Sequence, residues 1–196
     1  VGKDTVFCVD SIAPQTLDKL REAKRNLPRG APTLYALDLD RGDVRWQFKP
    51  EVPVLNLTYA QHRDILIVPC RNLMIWQDGR WVSDSDGPPK KNAPGRMWGL
   101  RGRDGQVIWS VDEAPYFEPH IILDDMILDR YGYSYDLSSG QRSLRTSRLT
   151  GRDEPWHFRK GGCNHLVACP TLITWRTAYY DLAHHSGLMP LDSMNA

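Results

Sequence analysis

A short strand, a tight acidic-glycine turn and a second strand ending in Trp occur twice in this 196-residue chain. The first copy is Ala36-Leu-Asp38-Leu-Asp-Arg-Gly42-Asp-Val-Arg-Trp46 and the second is Gly99-Leu-Arg101-Gly-Arg-Asp-Gly105-Gln-Val-Ile-Trp109. A weaker copy reads Ser134-Tyr-Asp136-Leu-Ser-Ser-Gly140-Gln-Arg-Ser-Leu144, and Tyr179-Tyr-Asp181-Leu182 has the form of a fourth. From Asp38 the equivalent positions fall at Arg101, Asp136 and Asp181, in steps of 63, 35 and 45 residues. A strand repeat of this size implies blades or a β-solenoid, because one unit cannot bury its own face and must stack on its neighbours.

Each residue type in the phrase has a physical task. The Asp accepts hydrogen bonds from the amides of its own turn, and the Gly supplies the positive φ that such a turn needs. A Trp at the same place in successive units can slide between adjacent sheets and fill the wedge left by their fanning. Trp46 and Trp109 are therefore read as structural.

Composition sets the limits around this reading. With 41% hydrophobic residues the chain can bury a substantial core. A formal charge of +1 supplies no global field toward nucleic acid. No run of apolar residues is long enough for a transmembrane helix. The chain opens on Val1 and stops at Ala196 without a terminating element, so it is expected to be a piece of a longer protein. Cys8, Cys70, Cys163 and Cys169 show no C-x-x-C spacing, which argues against zinc-ribbon and thioredoxin sites. Cys8 and Cys169 lie in apolar strands and are expected to pack as buried thiols, a disulfide in an oxidising compartment being the alternative.

Along the chain, Asp4 to Asp10 reads as a strand. Leu17, Leu20, Ala23 and Leu27 then recur at helical spacing, with Pro14 suited to a first turn. The segment from about 13 to 27 is thus a short helical insertion, its basic face (Lys19, Arg21, Lys24, Arg25) solvated. Strand pairs follow at 34–48, 55–68, 97–111, 121–128 and 134–137, then at 165–168, 172–175 and 178–182. Residues 77–96 form a long polar loop rich in Pro and Gly, which accounts for the longest step. Loops of this length are usually functional or disordered. Trp76, Trp81 and Trp98 flank it. With Lys90, Lys91 and Arg96 they make a candidate recognition surface for a glycan, a peptide or a membrane interface.

The two full phrases resemble the PQQ-type β-propeller repeat, whose tryptophan-docking consensus is Ala-x-Asp-x-x-x-Gly-x-x-x-Trp. Arg41 and Asp104 stand where that family usually has Thr. The wider chain is similar to the C-terminal part of PQQ-binding-like propeller proteins of planctomycete-type bacteria. The resemblance rests on Phe7-Cys-Val-Asp10, Leu34-Tyr-Ala-Leu-Asp38, Arg101-Gly-Arg-Asp-Gly105 with Trp109, Leu149-Thr-Gly151, Pro155-Trp156 and Gly162-Cys-Asn164. It implies an all-β partial propeller of about four blades, the outer ones incomplete, spanning residues 1–196. It also implies a periplasmic or extracellular location, with the remaining blades of a parent propeller as partners, besides another protein or a glycan.

The same resemblance divides on function. Quinoprotein dehydrogenases of this fold bind pyrroloquinoline quinone over a Trp floor, near a calcium held by Glu, Asn and Asp. Relatives in outer-membrane protein assembly keep the propeller without a cofactor. The adjacent Cys-Cys pair of many dehydrogenases is missing here, and no clear Glu/Asn/Asp set appears. No catalytic or metal residue is assigned, and no cofactor is expected in this segment, quinone and calcium being reserved for a parent protein.

Other candidate chemistry reads as structure. Asp124-Asp125 lies between two apolar triplets as a hairpin turn. His184 and His185 point to opposite faces if on a strand, so they do not share one metal. Glu118 and His120 have no visible partner, and Asn56-Leu-Thr58 matches a glycosylation sequon within a strand. The sequence points first to a non-catalytic extracytoplasmic interaction scaffold. A segment of a quinone- and calcium-dependent oxidoreductase is the alternative, and a glycan-binding module the third reading.

Overall fold

A computed structural model describes residues 2, 4–10, 19–20, 22–24, 33–50, 54, 56–70, 74–77, 80–83, 95–114, 120–129, 132–147, 149–158, 166–175, 178–184 and 186–188. Four antiparallel sheets follow one another in chain order. The first holds β1 (Thr5–Val9), β2 (Leu34–Asp38) and β3 (Val44–Phe48). In the second, β4 (Thr58–Ala60) and β5 (Ile65–Cys70) lead into an excursion, the two-stranded hairpin β6 (Met74–Gln77) and β7 (Arg80–Ser83). The chain then returns as β8 (Gly95–Arg101) and β9 (Val107–Ala114), giving the order β4-β5-β8-β9.

The third sheet comprises β10 (Ile121–Leu123), β11 (Met126–Leu128) and β12 (Ser134–Asp136), with a hairpin of β13 (Leu144–Thr146) and β14 (Asp153–Pro155) beyond it. The fourth is β15 (Val167–Cys169), β16 (Leu172–Trp175), β17 (Ala178–Asp181) and β18 (Ser186–Leu188). The fold is all-β, an arc of four propeller blades. Each sheet is an antiparallel meander; most of its strands are joined by tight turns, whereas β1 and β2, and β5 and β8, are neighbours across long connections.

Two details differ from the sequence expectation, and a third bears on the helical insertion. The last sheet has four strands and is not truncated. The region read as one polar loop over 77–96 begins as the β6–β7 hairpin and ends inside β8; residues 84–94 lie outside the described set. In the helical insertion the described residues 19, 20 and 22 are helical, with the Ala23 amide donating to the Lys19 carbonyl at 3.0 Å. The rest of that segment is outside the described residues.

The core is three seams, one between each pair of successive sheets. Strand β5 shows why: its residues alternate between two partners, as strand geometry dictates. Leu66 and Val68 join Leu34, Ala36, Trp46, Trp98 and Leu100 in the first seam. Ile65 and Ile67 face the other way, joining Trp109, Ile127, Tyr135 and Leu137 in the second. The third seam packs Leu123 and Leu128 against Trp156, Phe158, Ile173, Trp175 and Tyr180. Sheets buried on both faces explain the run Ile65-Leu-Ile-Val68, which has no polar face. The first strands of the second, third and fourth sheets lie against one another, β10 between β4 and β15.

Candidate functional site

The repeated phrase builds one local structure four times. The amide after each landmark residue is bonded to the residue just before the neighbouring strand: Leu39 to the Asp4 carbonyl at 2.9 Å, Gly102 to Asp64 at 2.8 Å, Leu137 to Asp125 at 2.8 Å and Leu182 to Thr171 at 2.9 Å. In the first three copies the glycine amide donates back to the landmark carbonyl, Gly42 to Asp38 at 2.9 Å, Gly105 to Arg101 at 2.8 Å and Gly140 to Asp136 at 2.8 Å. These glycines have φ of 73, 71 and 69°, where a side chain is strained. The fourth copy has His185 at that position, outside the described residues.

The carboxylates serve their own turns. Asp38 accepts the amides of Asp40 and Arg41 at 3.1 and 2.9 Å and pairs with Arg45 at 2.7 Å. That guanidinium, above all, holds the Asp38 carboxyl below the usual carboxylate range. Asp136 is capped by Ser138 and Ser139, whose hydroxyls donate at 2.6 and 2.7 Å and lower its pKa. Asp181 accepts the Ala183 and His184 amides and contacts His184 Nδ1 at 2.8 Å, again lowering its pKa. Where the second copy has Arg101, Asp104 takes over, accepting the Gln106 amide at 3.1 Å and the Arg101 guanidinium at 3.0 Å.

The Trp of one sheet is seated on the glycine turn of the next. Trp46 donates its indole N–H to the Gly102 carbonyl at 2.7 Å, and a Cβ on Gly105 would lie 2.7 Å from its ring. Trp109 donates to the Leu137 carbonyl at 2.9 Å, and a Cβ on Gly140 would lie 2.5 Å from its ring. The acceptor stands three residues before the glycine in both cases. On its own sheet Trp46 faces Ala36, and Trp109 faces Gly99, each beside a register shift. Both rings are over nine-tenths buried.

The third copy has Leu144 in the Trp position, and it is exposed. Its seam is filled by Trp156, which meets Tyr180 edge-on at 5.5 Å. The β13–β14 hairpin delivers it: the Trp156 amide donates to the Ser143 carbonyl, returning the chain beside the strand that Leu144 left. In the sequence Trp156 does not stand out as a seam residue, because its spacing from Gly140 breaks the phrase.

The proposed recognition surface is only partly described. Trp76 and Trp81 are register partners across β6 and β7. Lys90 and Lys91 lie outside the described residues. Trp98 is buried in the first seam, edge-on to Phe48 at 5.5 Å, so it is core and not part of a binding face. Arg96 covers that indole at 5.6 Å and pairs with Asp112 at 2.5 Å.

The remaining ionisable candidates are dispersed. Asp124 (φ 51°) and Asp125 form the β10–β11 turn, and Asp125 pairs with Arg63 and lies 3.4 Å from His62, tying the second sheet to the third. His120 is buried, and burial lowers its pKa to about 4. Cys8 and Cys169 are free thiols; Cys8 is half-buried, but Cys169, on the outer face of β15, is exposed and not core as expected. Among the described residues no three His, Cys, Asp or Glu side chains are grouped as metal ligands. The landmark carboxylates Asp38, Asp136 and Asp181 are engaged by the amides of their own turns. No helix among the described residues is long and apolar enough to cross a membrane.

Two open clefts of about 470 and 460 Å³ flank the third seam. One is lined by the Asp124–Asp125 turn, Pro170 and Leu182; the other by the β13–β14 hairpin over Trp156 and Tyr180.

No family model matches the chain, and no curated protein does. Among solved structures, one similarity is to a europium-containing methanol dehydrogenase, at 16% identity and a TM-score of 0.37, covering 57% of this chain and 20% of that one. Another is to BamB from Moraxella catarrhalis, at 12% identity and a TM-score of 0.41, covering 83% of this chain and 59% of that one. The chain therefore spans about a fifth and about three fifths of these two proteins.

Proposed function

We propose that the chain is a non-catalytic, extracytoplasmic interaction scaffold, built as an arc of tryptophan-docked propeller blades. One observation carries the reading: the residue types that define the repeat are consumed in turns and seams, while the last sheet directs apolar side chains outward. On the last sheet Val167 is 67% exposed and Tyr179 40%. Chemistry held in turns is structural, whereas exposed strand faces offer adhesion.

Sedimentation velocity tests this. The chain should associate with rising concentration, and Val167→Lys with Tyr179→Lys should shift it toward monomer. A monomer at all concentrations, unaffected by those changes, would refute adhesive end faces. A melt with pyrroloquinoline quinone and calcium discriminates the oxidoreductase reading. A ligand that binds only the folded state raises the melting temperature by mass action, so a saturable rise would displace the scaffold reading.

A further inference from the structure

We propose that the cleft between the β13–β14 hairpin and the last sheet binds a small carboxylate with an apolar body. The inference goes beyond the scaffold reading and uses a different surface. Tyr180 lines this cleft, whereas its exposed neighbour in β17, Tyr179, points to the opposite face of the sheet. At about 460 Å³ the cleft has the volume of an ordinary small-molecule pocket.

Its floor holds two donors that the fold does not use. Trp46 and Trp109 spend their indole N–H groups on the Gly102 and Leu137 carbonyls. Trp156 fills the third seam by another route and makes no such bond. Among the described residues its indole N–H has no acceptor, and the Tyr180 hydroxyl has no partner. Neither atom is among the buried polar atoms sealed from solvent without a partner. Each residue is only 8% exposed and lines the cleft, so what stays open of the two rings faces it. Indole and phenol tips on rings this buried ordinarily find a hydrogen-bond partner, and a ligand in the cleft would supply one.

The rim sets the charge of that ligand. Arg145 Nε and Nη2 both engage one oxygen of Glu154, Oε1, at 2.9 Å, and among the described residues Nη1 has no partner. The rim carboxylate is thus held by its guanidinium, while the unspent groups of Trp156, Tyr180 and Arg145 are donors. An ionised carboxylate accepts from such donors more strongly than a neutral oxygen does. The exposed side chains of Leu144 and Leu149 line the same cleft and offer cover for the apolar body.

Calorimetric titration of hydrocinnamate into the full chain tests this, with the Trp156 indole resonance followed in an isotope-labelled sample. The resonance should shift saturably. Hydrocinnamyl alcohol keeps the ring and the chain but lacks the anion, and should bind about tenfold more weakly, the scale of a lost charge-assisted bond. Arg145→Gln should weaken hydrocinnamate binding about tenfold for the same reason. Arg152→Gln makes the same charge change on the same hairpin but outside the cleft, and should leave binding unchanged. Glu154→Gln should tighten binding about threefold, because it removes a like charge and frees the guanidinium. Both rim residues are exposed, so these variants keep the fold. A pair that only braces the hairpin would weaken binding when either partner is lost. The proposal is overturned by no saturable shift, by equal binding of the alcohol, by an equal loss with Arg152→Gln, or by weaker binding with Glu154→Gln.

Discussion

Gly140→Ala tests the seam mechanism directly, because the cost can be worked out atom by atom. A Cβ at this position would meet Trp109 Cε3 and Cζ3 at 2.5 and 2.6 Å and Val111 Cγ2 at 2.9 Å. Ordinary carbon contact begins near ~3.5 Å, so the indole would have to retreat by about 1 Å. It has nowhere to go. On its other side it packs on Gly99, where an added Cβ would lie 2.3 Å from the ring, and its N–H is held by the Leu137 carbonyl at 2.9 Å. Overpacking of this kind costs about 1–3 kcal/mol, a lost hydrogen bond about 1, and Ala in a left-handed turn about 1–2. The expected total is roughly 3–6 kcal/mol. Gly151→Ala carries the same φ penalty with open space around it, and should cost only about 1–2 kcal/mol. Urea unfolding followed by far-UV circular dichroism measures both. In a Trp109→Leu background the gap between the two alanine substitutions should shrink sharply, since only the 2.9 Å contact with Val111 remains. If they already cost the same with Trp109 in place, within about 0.5 kcal/mol, the ring is not seated on Gly140.

Further outcomes follow from other parts of the structure. Trp156→Ala should destabilise by about 3–5 kcal/mol, as should Trp46→Ala, because each large ring fills a seam; a loss under ~1 kcal/mol for Trp156 would put it on the surface. His120, buried and neutral with a folded pKa of about 4, binds a proton more readily in the unfolded chain. Stability should therefore be fully present above about pH 6.5 and fall as the pH drops toward 4, by about 3 kcal/mol at ~1.4 kcal/mol per unit. His120→Leu should flatten that limb of a pH-dependent denaturation series, and an unchanged profile would assign the acid sensitivity elsewhere. Arg63→Met should leave the unfolding midpoint nearly unchanged, because its pairing with Asp125 is solvent-exposed and screened; a large loss would mean that the second and third sheets depend on that bridge.

Legibility in the sequence tracked the locality of the physics. The landmark positions Asp38, Arg101, Asp136 and Asp181 occupy one structural place because the turn requirement lies within a few residues. A positive φ and an amide-capping side chain are written where they act. The run Ile65-Leu-Ile-Val68 was legible as a strand, and its burial on both faces is seen only in the structure. Trp98 misled because it borders a polar loop in sequence, yet β8 pairs with β5 and carries it into the first seam. Cys169 misled for the opposite reason. Its strand is apolar, but β15 belongs to the last sheet, whose outer face has no described neighbour. Burial there depends on the count of sheets, which a single strand does not encode.

The third seam shows what the repeat requires and what it leaves free. Two stacked sheets that diverge need bulk in the wedge between them; they do not need it from a fixed sequence position. The first two seams obtain it from the strand directly after the glycine turn, with an indole N–H fixed to the next sheet. In the third, Leu144 is turned outward, and the chain makes an extra hairpin before Trp156 re-enters beside the same sheet edge. The bonds from Trp156 to Ser143 and from Phe158 to Gly132 show the returning strand taking the place that Leu144 vacated. The insertion therefore changes which residue fills the wedge without changing how the sheets stack. It also creates a cleft of about 460 Å³ roofed by Leu144 and Leu149 over Trp156 and Tyr180. A repeat built on seams can thus acquire surface features by lengthening a turn, and its stacking survives as long as some large ring still reaches the gap.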